Sequence, residues 1–105
     1  MYRATTPTHR FTLPTDASEY KEIQITYEQN RTMLVKHYQD GILPSGMTID
    51  GADVIVKLTQ NETNSFTPKQ RVNVQVRVLT QDDDAYASNI MGIAVNKVLN
   101  DEVLG

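Results

Sequence analysis

The chain has 105 residues, 39% hydrophobic and 22% charged, with a net charge of −3 and no cysteine. One core is the expectation at this length, so residues 1–105 form a single domain and a two-lobed enzyme is excluded. Ten basic side chains scattered without a run leave no footprint for nucleic acid. No stretch reaches the roughly 18 apolar residues of a membrane span, and Met1–Pro14 lacks the apolar core of a secretory leader, so the expectation is a protein used in the cytoplasm or in an assembly built there.

In chain order, Met1–Thr6 precedes the first strand, which Phe11 and Leu13 carry between Pro7 and Pro14. Asp16 stands three residues before Glu19, a spacing that predicts one helical turn with Asp16 capping the Glu19 amide and Glu19 reaching back. Strict alternation then sends Ile23, Ile25 and Tyr27 inward, and Asn30-Arg31 makes a tight turn into a partner strand from Met33 to Tyr38. The inward set of that partner is open, because Leu34, Lys36, Tyr38 and Met33, Val35, His37 are both plausible faces.

Asp50-Gly51-Ala52-Asp53 is a turn, and Val54, Val56 and Leu58 follow as the inward side of another strand. Thr59 and Glu62 have capping-box spacing and predict a second single turn of helix. Arg71–Val78 is the clearest element: Val72, Val74, Val76 and Val78 face one way and Arg71, Asn73, Gln75 and Arg77 the other. A loop with Asp82, Asp83 and Asp84 leads to a closing strand from about Ser88 to Val95. Strands about ten residues apart, two corner turns and no long amphipathic helix predict an all-β antiparallel sandwich of about seven strands.

The set Tyr2–Thr8, Phe11–Pro14, Ile25–Gln29, Leu58–Thr63, Val74–Val78 and Ala87–Ile90 resembles small proteins encoded by tailed bacteriophages and prophages of Gram-positive bacteria. It is also similar in pattern to the immunoglobulin-like N-terminal domain of phage baseplate upper proteins. The resemblance implies an immunoglobulin-like sandwich acting as a virion structural protein of tail, baseplate, neck or capsid. It further implies assembly in the host cytoplasm and contacts with itself and with other phage structural proteins. The longer baseplate proteins continue into helices and receptor-binding modules, whereas this sequence ends at Gly105, so the expectation is a stand-alone connector or decoration subunit.

Reactive chemistry finds little footing. His9 and His37 are the only histidines, and no serine sits in a Gly-x-Ser-x-Gly elbow. The isolated glycines build no phosphate loop, and Asp82–Asp84 lacks the alternating oxygens and glycine of a calcium loop. No cofactor, metal or catalytic residue is therefore assigned. Asn30-Arg31-Thr32 and Asn61-Glu62-Thr63 match the glycosylation pattern, and since no secretory leader is expected, chance is the better explanation.

The candidate functional residues are the apolar and basic side chains outside the sandwich: Tyr2 and Arg3 before it, and Val98, Leu99, Val103 and Leu104 after it. Uncovered apolar segments mark interfaces, so these six are assigned to homo-oligomer or virion contacts. The alternative is a host-surface carbohydrate or receptor module using Tyr38, Tyr86 and the acidic loop.

Overall fold

The computed structural model describes residues 1–105. Its strands are β1 (Thr8–Thr12), β2 (Tyr20–Gln29), β3 (Thr32–Gln39), β4 (Met47–Asp50), β5 (Asp53–Lys57), β6 (Arg71–Thr80), β7 (Ala85–Ala87) and β8 (Met91–Ala94). A 3-10 turn at Ala17–Glu19 precedes β2, and a short helix α1 at Gln60–Asn64 joins β5 to β6. Every strand pairing is antiparallel. One sheet has the order β1-β5-β4; the other runs β3-β2-β6-β7, with β8 on the same edge of β6.

Side chains of both sheets merge into one core. Ile23, Ile25 and Tyr27 of β2 and Val72 and Val74 of β6 meet Val54 and Val56 of β5, all fully buried. Each such burial contributes on the order of 1.5–3 kcal/mol before entropy. The all-β antiparallel sandwich expected from the alternation is thus present. Its second strand lies with the third and sixth, whereas the immunoglobulin order groups the second with the first, fourth and fifth. The likeness to that fold is one of architecture, two facing antiparallel sheets, rather than of strand order.

Several details depart from the sequence reading. The closing strand is divided: β7 pairs with Arg77–Leu79 and β8 with Arg71–Val74. Between them Ser88 bonds Val76 by donating its N–H and by accepting the Val76 N–H on its hydroxyl, so residues 88–90 leave the ladder. β4 is an additional short strand. Val78 is half-buried, because it lies at the rim of the sandwich opposite Tyr86. Asp16 caps Ser18 rather than Glu19, at 3.0 Å, since the turn is a three-residue 3-10 helix whose tight pitch brings the second amide within reach.

The open choice on β3 resolves inward for Leu34, Lys36 and Tyr38. Lys36 is buried because its ammonium meets Glu62 of α1 at 2.6 Å and donates to the Ser45 carbonyl at 3.0 Å. Glu62 also completes the expected capping box, accepting the Thr59 N–H at 2.9 Å while donating its own N–H to the Thr59 hydroxyl at 3.1 Å. Gly46 leads into β4 at φ +81, and a Cβ there would stand 2.4 Å from the Lys57 carbonyl oxygen, so this position requires glycine.

Candidate functional site

The two terminal segments that carry the six residues singled out from the sequence both reach α1, the first through Arg3 and the last through Leu104. Tyr2 forms a parallel bridge with Asn96: the Arg3 N–H donates to the Asn96 carbonyl and the Asn96 N–H to the Met1 carbonyl. Arg3 then reaches α1, donating to the Asn64 carbonyl at 2.9 Å and pairing with Asp101 at 2.6 Å. The Thr5 N–H donates to the buried Thr63 hydroxyl, which donates back to the Thr5 carbonyl.

The segment Lys97–Gly105 is tied to the same helix at Asp101 and Leu104. Gln60 grips the Leu104 backbone at both ends, donating to its carbonyl at 2.9 Å and accepting its N–H at 2.8 Å. Asn64, one helical turn along, donates to the Asp101 carbonyl at 2.9 Å. All three amide contacts address backbone, so they hold the segment without covering its side chains. Leu99 is fully exposed, Leu104 is 78% exposed, and Tyr2 and Val103 are also exposed, while Val98 and Arg3 are half-buried. Arg3 Nε and Asn64 Oδ1 are buried at this junction without a hydrogen-bond partner.

Gln60, Asn64 and Asp101 were not singled out from sequence. Their signal was present but weak: Gln60 and Asn64 are four apart on a helix and so share a face, and Arg3 and Asp101 carry opposite charges at distant positions. Gln29 was also missed. It is buried, donates to the Thr67 and Gln70 carbonyls and accepts the Thr67 N–H at 2.6 Å, fixing the loop before β6.

The remaining candidates are spread over the molecule. His9 shares a 2.7 Å hydrogen bond with Tyr27, and burial together with a nearby positive charge holds its pKa below the usual histidine value. Burial and the Glu62 charge push the Tyr27 hydroxyl well above the ordinary range, so it stays protonated. His37 contacts Glu22 at 2.7 Å on the outer face of the larger sheet. Asp82–Asp84 closes the β6–β7 hairpin, with Asp83 pairing to Lys21, and no three acidic or histidine side chains converge as a metal cluster.

Tyr38 and Tyr86 lie in one row, Tyr38–Ile23–Val78–Tyr86, at opposite edges of the larger sheet. Three strand spacings, about 14 Å, separate them, and Ile23 is buried between, so they build no shared stacking platform. An apolar groove of about 400 Å³ opens instead between β1 and β7, lined by Phe11, Leu13, Val76, Val78, Tyr86 and Met91. No protein-family model matches the chain, and no curated protein matches it in sequence.

Proposed function

We propose that the protein is a non-enzymatic structural subunit of a bacteriophage particle, held to its neighbours by protein–protein contacts at the α1 junction. One observation carries this reading: Arg3, Gln60 and Asn64 fasten the two terminal segments by hydrogen bonds, while the apolar side chains of Tyr2, Leu99, Val103 and Leu104 are left exposed. Exposed apolar side chains on rigidly held backbone suit a neighbour's surface, since ordering them on binding costs little further entropy. The phage resemblance supplies the setting, with assembly in the bacterial cytoplasm and residence in the virion.

The test is incorporation. A tagged chain, produced in cells assembling the particle, is expected to sediment with purified virions. The variant Leu99→Asp/Leu104→Asp, altered only at exposed side chains, should keep its fold by circular dichroism and lose at least about tenfold in incorporation, equivalent to about 1.4 kcal/mol. Equal incorporation of both, or absence of the intact chain from particles, rejects the reading.

A further inference from the structure

The sandwich presents five outer strands, and four of them are blunted. β4 and β8 have four residues and β7 three, while β1 is closed at both ends by Pro7 and Pro14. β3 is different: eight residues, no glycine or proline, and β2 on one side only. A long open edge of this kind is a template for another strand.

The backbone groups it offers follow from one contact. Gln39 donates to the Ile42 carbonyl and accepts the Ile42 N–H, on the side of β3 away from β2. Alternate residues of a strand point their backbone groups the same way, so the N–H and C=O of Met33, Val35 and His37 also project from the free edge. Their side chains lie on the outer face, opposite to the inward Leu34, Lys36 and Tyr38. None of the three is acidic, Lys or Arg. The one lysine of the strand, Lys36, is turned inward to Glu62 and does not guard the edge. Met33 is 64% exposed, Val35 41%, and the adjoining Ile42 73%.

We infer that β3 is a second, two-fold interface at which two copies of this chain pair antiparallel, centred on Val35. The occupant is a second copy because the edge complements itself. With Val35 opposite Val35, Met33 stands opposite His37 of the second copy, and the free groups of residues 33, 35 and 37 form about six backbone hydrogen bonds. The ladder ends at His37 on each copy, because Ile42 already occupies the outward side of Gln39, and within it no like charges are set opposite each other, since Met33, Val35 and His37 include no acid, Lys or Arg. The two larger sheets become one continuous sheet. This contact does not involve the α1 junction, so it stands or falls apart from the function proposed above.

The absence of cysteine allows a register-specific test. At a two-fold hydrogen-bonded pair, the Cα atoms are about 5.5 Å apart, within disulfide range. Val35→Cys in the full chain is therefore expected to form a covalent dimer on mild oxidation. In Met33→Cys the two thiols are offset by four residues, about 13 Å along the strands, and cross-linking should be at least tenfold slower. By sedimentation velocity the unaltered chain should shift from monomer to dimer between about 10 µM and 1 mM, the range for a contact smaller than the usual ~800 Å² per partner.

Val35→Lys places two like charges together and should remain monomeric throughout. Val35→Pro removes the central outward N–H without touching a bond to β2 and should do the same. Removal of Val98–Gly105 should leave the dimer intact. Equal cross-linking at positions 33 and 35, a monomer across the whole range, or a Val35→Lys variant that dimerises like the unaltered chain overturns the inference.

Discussion

Replacing Lys36 by methionine isolates the buried ion pair that joins the β3 edge to the corner helix. Removing one member of a fully buried pair costs about 3–5 kcal/mol, most of it from the charge left behind. Here the loss is smaller, about 2–3 kcal/mol, for two reasons: the Glu62 side chain keeps 18% of its exposure and still accepts the Thr59 N–H, and the exposed Ser45 can return its carbonyl to water. With an m value near 1.2 kcal/mol/M, the urea midpoint at pH 7 drops by about 2 M.

The pH dependence identifies the cause. Burial raises the Glu62 pKa, but the Lys36 ammonium and the Thr59 amide outweigh it and hold the carboxyl below its ordinary value of 4.5. A carboxyl depressed in the folded state contributes stability that is present above the unfolded pKa and lost as pH falls through the folded one. Without Lys36, burial dominates and the Glu62 pKa rises, so the variant's deficit is full at pH 7 and narrows below about pH 4. Adding Glu62→Gln, which retains the cap to Thr59 and removes the charge, should recover at least half of the loss. Urea melts of the single and double variants at pH 7 and pH 3 measure all of this. A deficit below about 0.5 kcal/mol, or one that is the same at both pH values, refutes the assignment to the ion pair.

Two further substitutions probe single devices. Thr59→Ala removes the oxygen that accepts the Glu62 N–H and should cost about 0.5–2 kcal/mol without loss of fold; coincident urea melts would reject the cap. Gln29→Ala strips three hydrogen bonds from the Thr67–Gln70 loop and should cost about 1–3 kcal/mol, with faster amide exchange at Thr67; unchanged exchange there would remove Gln29 as the clamp.

What was legible in the sequence was local. Val72–Val76 and Ile23–Tyr27 announce their buried face by period two alone, and Thr59 and Glu62 form their cap within one helical turn. Val78 obeys the same period, but its degree of burial depends on how far the facing sheet extends. The inward turn of Lys36 contradicts its polarity and is explained only by Glu62, 26 positions later. β4 is too short to show alternation, and the division of the closing strand depends on Ser88 finding Val76. At the candidate junction the exposed apolar residues could be selected from composition, whereas the side chains that hold them, Gln60 and Asn64, belong to a polar helix and acquire their partners only in three dimensions.

The place of β2 between β3 and β6 also sets the order in which the chain can fold. Its pairing with β3 needs only the two-residue turn at Asn30-Arg31, whereas pairing Glu28 with Asn73 and Tyr20 with Thr80 closes loops of roughly 45 and 60 residues. Hairpins form in microseconds; sheets dominated by distant pairings take milliseconds to seconds. During synthesis the β2–β3 ribbon emerges well before β6, with Ile23, Ile25 and Tyr27 uncovered and the second edge of β2 unpaired. β6 is therefore the rate-setting element, and a truncated product ending before Arg71 leaves both edges of the β2–β3 ribbon open, the form of this chain most prone to aggregate.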